Sequence, residues 1–176
     1  VVVEVNEYQP WVFGGYDEAI HISQVDYIVE NHEYKLPEFP AEPVTREDES
    51  IAEYLAEQIV DGATIQLGVG AIPQAVGRLL IKQGLKDLGI HSEMFNDSMM
   101  ELIEAGVVTG RRKSLNPGKA VHCFAAGSER LYRFMNRNPT VVGFPVDYTN
   151  DPYIIAQNEK QIAINSALRV DLRGQV

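Results

Sequence analysis

The stretch 66-QLGVGAIPQAVGRLL-80 decides how the rest of the chain is read. An apolar run, Ala63–Leu67, reads as a strand, Gly68 and Gly70 as a tight turn, and Pro73–Gln83 as a helix stopped by Gly84. Pro73 then takes the first helical position, where a missing N–H costs nothing. Strand, glycine turn and helix in this order form half of a βαβ unit, and ligands of such units bind at the carboxyl ends of the strands. With no side chains at Gly68 and Gly70, backbone N–H groups can approach an anion or a polarised carbonyl, and the helix dipole adds to the attraction. The plainer reading is that both glycines only permit an abrupt strand-to-helix reversal. A dinucleotide fingerprint would place a third glycine where Pro73 stands, for close packing of helix on strand, and a proline ring does not reproduce that.

Upstream, residues 36–45, "LPEFPAEPVT", place Pro37, Pro40 and Pro43 three apart, which neither a helix nor a central strand tolerates. Residues 37–43 are therefore predicted to be an extended linker separating residues 1–36 from residues 44–176. Residues 1–36 read as strands and turns: "VVVEVN", a break at "FGGYDEA", then "HISQVDYIVE". Both chain ends read as cut, so part of a longer two-domain protein is expected, with apolar surface exposed on 1–36. After the linker, Thr45 caps a helix with Ile51, Tyr54, Leu55 and Ile59 on one face, ended by Asp61-Gly62. Glu47, Asp48 and Glu49 suit its first turn.

Downstream, strands and helices alternate. "LGIHSEMF" reads as a strand, and a helix follows with Ser98 and Glu101 as a capping box and Gly106 at its end. "KAVHCFAAG" and "TVVGF" read as strands around the helix "SERLYRFMNRN", and the helix "DPYIIAQNE" leads into a last strand, "QIAINSALRVDL". The alternation predicts an α/β fold with a mostly parallel sheet flanked by helices.

Composition narrows the function. The 176 residues carry a formal charge of −10 and a pI near 4.8, which argues against a nucleic-acid partner. Cys123 is the single cysteine, which excludes an internal disulfide and suits a reducing compartment, here the cytoplasm. Four scattered histidines give no metal-ligand spacing, and no apolar run is long enough to span a bilayer.

The second chemical feature is 89-GIHSEMFND-97. Strand alternation puts His91, Glu93 and Phe95 on one face and Ile90, Ser92 and Met94 on the other. A carboxylate between apolar neighbours at the ligand edge is costly unless paired or used. Glu93 follows Gly70 by 23 residues, about where a dinucleotide fold puts its ribose-binding acid. Spacing alone supports either a ribose contact or nucleophilic attack.

The blocks 67-LGVGAIPQAV-76, 88-LGIHSEMFNDSMMELIEAGVVTG-110 and 146-VDYTNDPYIIAQNEKQIAINSALRVDLRGQV-176 resemble the acetyl-CoA hydrolase/transferase family, in particular its 4-hydroxybutyrate and butyrate CoA-transferase branch. The resemblance runs through the whole chain. It implies a CoA-transferase fold, with residues 1–36 ending a preceding domain and 44–176 opening the catalytic one. It makes Glu93, in "HSEMF", the nucleophile, and puts coenzyme A against the segment after the second glycine. That segment is Gly70, Ala71, Ile72, Pro73 and Gln74, with Gly68 completing the turn; many members carry asparagine in place of Gln74. The implied substrates are an acyl-CoA and a short-chain carboxylate, and the implied assembly a homo-oligomer at full length. The alternatives are an acyl-CoA hydrolase, in which water accepts the acyl group, and a non-catalytic nucleotide- or CoA-binding module in which Glu93 only contacts a ribose.

Other reactive residues have plainer readings. His91 is expected to be structural rather than an orienter of Glu93. His122 and Cys123, as strand neighbours, should face opposite ways, with Cys123 a small buried core residue. The basic segment 111-RRKSLNPGK-119 reads as a solvated loop rather than a phosphate site. Asp97 is expected to bond local backbone before the Ser98 helix, and Asp147 and Asp151 flank a turn without needing a metal.

Overall fold

The computed structural model describes residues 1–39 and 41–176, so Pro40 of the proline-spaced linker lies outside the described residues. In chain order the elements are β1 (Val2–Asn6), β2 (Phe13–Gly14), a 3-10 turn at Ile22–Gln24, β3 (Tyr27–Asn31), α1 (Arg46–Ala56), β4 (Thr64–Leu67), α2 (Ala71–Gln83), β5 (Gly89–Ile90), β6 (Met94–Phe95), α3 (Asp97–Glu104), β7 (Ala120–His122), β8 (Phe124–Ala125), α4 (Glu129–Met135), β9 (Val141–Gly143), α5 (Val146–Thr149), α6 (Pro152–Ile155) and β10 (Gln161–Ile164).

Every described strand pairing is parallel. β4 lies between β10 and β5, and β9 between β7 and β2. A parallel bridge from His91 to Val121 joins the two groups into one array, β10-β4-β5-β7-β9-β2. β6 pairs with β8, and β1 with β3. The expected α/β architecture, a mostly parallel sheet flanked by helices, is what the chain adopts. Its core is one cluster: Ile65 and Leu67 of β4, Val76 and Leu80 of α2, Ile90, Phe95, and Met99, Met100 and Leu102 of α3 are fully buried.

The local grammar of the central unit explains its shape. Gly70, at φ 111°, caps α2 at its start, and Gly84, in the left-handed region at φ 68°, ends it. The helix begins at Ala71, so Pro73 is its third residue rather than its first. It remains within the first turn, where N–H groups have no intrahelical partner. Thr45 caps α1 as expected, accepting from the Asp48 N–H while the Asp48 carboxylate accepts from the Thr45 N–H.

The buried face of α1 differs in part from the expected one. Ala52 and Ala56 are buried and Ile51 is 45% and Tyr54 74% exposed, whereas Leu55 and, just past the helix, Ile59 pack on the core as expected. α1 packs on α2, and small alanines let the two axes approach. The α3 cap also moves: Asn96, not Ser98, accepts from the Met99 N–H. Beyond Ile164 the predicted last strand does not continue, and Leu168, Val170 and Leu172 are exposed.

Residues 37–39 lie along α4 rather than free in solvent. The Tyr132 hydroxyl donates to the Pro37 carbonyl (2.8 Å), and the Phe39 N–H to the Gly127 carbonyl (3.1 Å).

Candidate active site

The carboxyl ends of β4, β5 and β10 converge on both predicted features. At the end of β4 the Gly68 N–H donates to the Ile164 carbonyl (2.9 Å). That N–H is therefore engaged and is not a free oxyanion donor. A side chain at Gly68 would put its Cβ 2.8 Å from Asn165 Oδ1, so this glycine admits a neighbouring amide. Asn165 and Gln66 form a reciprocal amide pair, each nitrogen donating to the other's oxygen at 2.9 Å. This pair ties β10 to β4 at the mouth of the sheet.

Gly70 contributes its backbone conformation, and Ala71, Ile72, Pro73 and Gln74 form the first turn of α2. Pro73 is buried in the core, while Gly68, Gly70 and Gln74 line a cavity of about 470 Å³ with Phe39, Met94 and Phe124. The Gln74 amide fits with its nitrogen donating to the Glu42 carbonyl (3.1 Å) and its oxygen accepting from Arg78 (3.2 Å). Among the described residues, the N–H groups of Val69, Gly70 and Ala71 have no backbone or side-chain acceptor. They are the donors this turn offers to a ligand.

Glu93 sits at a bend between β5 and β6 and is exposed. Strict alternation was expected to place it with His91 and Phe95, but both of these are buried and Glu93 is not. The physical reason is a change of partner. β5 pairs with β4, whereas β6 pairs with β8, and the chain kinks at Ser92–Glu93 to switch. The kink is fixed by backbone: the Glu93 carbonyl accepts from the N–H groups of Cys123 (2.8 Å) and Phe124 (3.1 Å), and the Ser92 hydroxyl donates to the Met94 carbonyl (2.7 Å). The Glu93 side chain thus stands on rigid backbone, facing a cavity of about 320 Å³ with Gln66, His91, Asn150 and Asn165. Because it is exposed, the desolvation cost expected for it does not arise.

Glu93 and the glycine turn therefore occupy adjoining cavities at one sheet edge rather than a single one. Asn96, which the sequence reading left out, connects their frames: its side-chain nitrogen donates to the Gly68 carbonyl (3.0 Å) while its oxygen caps α3. An asparagine directly before a helical pattern was the available signal.

The remaining candidates fall out as follows. His91 is buried, and its Nε2 meets the Thr149 carbonyl at 3.0 Å; burial holds its pKa below the ordinary value, which fits a structural role. His122 is buried beside Phe95, and burial pushes its pKa down to about 4. Cys123 is half-buried rather than a core residue, because the strand breaks there between β7 and β8. It and His122 line the same cavity of about 730 Å³, between the sheet and residues 9–18. Asp97 bonds distant backbone, not local: its carboxylate accepts from the N–H (2.9 Å) and hydroxyl (2.5 Å) of Ser128, holding the start of α4. The basic loop is not uniformly solvated either, since Lys113 is buried. Among the described residues no cluster of three or more His, Cys, Asp or Glu is placed to hold a metal, and no helix is long and apolar enough to cross a membrane.

Comparison with known proteins gives these features a setting. The profile of the acetyl-CoA hydrolase/transferase N-terminal domain matches residues 1–40, and that of the C-terminal domain residues 127–176. The chain is 47% identical to a 4-hydroxybutyrate coenzyme A transferase of Clostridium kluyveri, over 100% of this chain and 40% of that protein. It is 41% identical to a butyryl-CoA:acetate CoA-transferase of Anaerostipes caccae, again over 100% of this chain and 40% of the relative. Among solved structures, RipA from Yersinia pestis superposes with a TM-score of 0.92 at 46% identity, covering 98% of this chain and 39% of that one. The chain thus spans about 40% of the length of the curated relatives it matches.

Proposed function

The chain belongs to the acetyl-CoA hydrolase/transferase family, and from that premise we propose that the full-length protein moves coenzyme A between a short-chain acyl-CoA and a carboxylic acid, with Glu93 as nucleophile. The observation that carries this reading is the exposed Glu93 carboxyl on a cavity wall at the carboxyl edge of the sheet, its backbone pinned by two N–H groups. A nucleophile must be accessible yet held still, and this kink supplies both.

The proposed steps are covalent and balanced. The Glu93 carboxylate attacks the thioester carbonyl, and the tetrahedral oxyanion collapses by expelling CoA thiolate, which leaves an acyl–glutamyl anhydride. The thiolate attacks the glutamyl carbonyl, expels the first carboxylate and forms a glutamyl–CoA thioester. The acceptor carboxylate then attacks that thioester, and the released thiolate takes the new acyl group, restoring Glu93. No net proton is consumed. Each tetrahedral stage needs fixed donors, and the side-chain amides of Gln66, Asn150 and Asn165 in the Glu93 cavity are candidates from this chain.

We assign coenzyme A to the glycine turn, where the N–H groups of Val69, Gly70 and Ala71 and the start of α2 offer donors, with Gln74 on the same wall. We further assign residues 1–36 to the end of the N-terminal domain, 37–43 to the linker and 44–176 to the start of the catalytic domain. Support comes from the N-terminal-domain match ending at residue 40 and from the lack of any buried residue among those described in 1–39. Family membership leads us to expect a homo-oligomer at full length. A single cysteine and a thioester substrate fit the cytoplasm.

Glu93→Gln in the full-length protein tests the reading. It keeps shape and removes the anionic nucleophile, so exchange should fall by roughly three orders of magnitude or more, with acyl-CoA affinity changed only a few-fold. A non-catalytic binding module has no exchange to lose. A hydrolase releases free acid from wild type without an acceptor. Near-normal transfer by the variant would overturn the assignment.

A further inference from the structure

Next to the Glu93 cavity, and sharing His91 and Gln161 with its lining, is a group of buried polar atoms that the proposed chemistry does not use. Thr64, His91 and Asn158 are buried, and Gln161 is half-buried. Thr64 Oγ1, His91 Nδ1, Gln161 Oε1 and both amide atoms of Asn158 have no hydrogen-bond partner among the described residues. Burying such atoms unpaired loses their hydration with nothing in exchange, so native interiors rarely leave them so.

The fold brings these atoms together. Gln161, Thr64 and Gly89 stand in register on adjacent parallel strands, so the first two share a face of the sheet. His91, two residues past Gly89, faces the same way, and the Gln161 amide donates to its carbonyl (3.2 Å). Lys113 crosses this face above Gly89. A Cβ on Gly89 would lie 2.3 Å from Lys113 Cγ and 3.1 Å from Thr64 Oγ1, so the absent side chain is the notch that holds the lysine stem. The Glu159 N–H donates to the Ser114 hydroxyl (3.0 Å), which brings the Asn158–Glu159 turn against Lys113–Ser114.

The lysine itself is incompletely satisfied. Its Nζ donates to the Ile90 and Lys119 carbonyls, both at 2.8 Å, fastening the end of β5 to the start of β7. An ammonium has three donors, and burial pushes this one down to about 7, so it is poised between two and three. It has no carboxylate partner among the described residues.

The mixture of donors and acceptors identifies what fits. His91 Nε2 must carry its proton toward the Thr149 carbonyl, so Nδ1 presents a lone pair. Gln161 Oε1 and Asn158 Oδ1 also accept, whereas Asn158 Nδ2 and the third Lys113 proton donate. An anion would leave the acceptors unmet, and a cation would meet the Lys113 charge. Water does both.

We propose that these side chains enclose an internal water site built around Lys113, next to the Glu93 cavity. About two waters, at roughly three hydrogen bonds each, suffice for the unpaired groups. His91 and Gln161 belong both to this group and to the lining of the Glu93 cavity. The site does not depend on the chemistry assigned to Glu93.

A crystal structure of the full-length protein, at a resolution that shows ordered water, tests this directly. Waters are expected within hydrogen-bond distance of Lys113 Nζ, Asn158 and His91 Nδ1. In solution, water-oxygen relaxation dispersion should count fewer long-lived waters in Asn158→Leu and in Lys113→Met than in wild type. The inference is overturned if Lys113, Asn158 and Gln161 bond one another directly in a dry cluster, if an ion occupies the space, or if folded variants retain the wild-type count.

Discussion

Residues 1–39 and residues 52–164 are both rich in apolar side chains, yet they are stabilised in different ways. No described residue of the first region is buried, and Val2, Val5, Tyr27, Ile28 and Val29 of the paired strands β1 and β3 are all exposed. In the second, apolar residues close into one cluster in which Ile65, Leu80, Phe95 and Met99 reach zero exposure. Apolar sequence supplies a driving force only where a second layer removes it from water. The β1–β3 ribbon has backbone pairing and no such layer within the described chain; β4 and β5 share one buried cluster with residues of α1, α2 and α3.

Substitutions that remove apolar groups from each region should differ most. Leu80→Ala is expected to cost about 2–5 kcal/mol, as burial and cavity terms add. Ile28→Ala, made in the 176-residue chain alone, should cost less than about 0.5 kcal/mol, because little area returns to water there. Denaturant melts of the two variants measure this, and equal costs would break the comparison.

Histidines in the two regions should respond to pH with opposite sign. His122 is neutral in the fold with a pKa near 4, against about 6.5 unfolded. The unfolded chain therefore binds the proton first, and stability should fall from about pH 6.5 down through pH 4, by up to about 3 kcal/mol. His32 in the ribbon is raised instead, by hydrogen bonds to Glu30 and Glu7. Its contribution is present at acid pH and fades as pH rises through its folded value. Melting temperatures of His122→Gln and His32→Gln across pH 4–8 separate the two.

Smaller effects sharpen the account of the glycine turn. Gly70→Ala forces a side chain into φ 111° and should cost about 1–3 kcal/mol. Thr45→Ala, which removes the α1 cap, should cost about 1 kcal/mol. Melts of these variants should preserve that order.

Much of the fold was legible because local signals agree with tertiary packing. The strand–glycine–helix unit, the Thr45 cap and the Gly84 stop are short-range chemistry, and they hold. What stayed hidden depends on partners distant in sequence. Alternation misplaced the environment of Glu93 because the chain changes sheet partner at Ser92–Glu93, which no local period encodes. Lys113 looked like one charge in a basic loop, and only the notch at Gly89, 24 positions earlier, takes it inside. Asp97 looked local because its partner, Ser128, lies 31 residues ahead. The glycine turn and Glu93 were each singled out from sequence; that they line two adjoining cavities, with the Gln66–Asn165 and Asn96–Gly68 bonds at the same edge, depends on contacts distant in sequence.

The central claim is that Glu93 becomes covalently attached to coenzyme A, and peptide mass spectrometry of the full-length protein tests it most directly. Incubation with an acyl-CoA and no acceptor acid should trap part of the protein as a glutamyl–CoA thioester. The adduct should map to 87-DLGIHSEMFNDSMM-100, on Glu93, and be missing from Glu93→Gln. An adduct on another residue, or transfer that proceeds at normal rate with no adduct formed, would contradict the account.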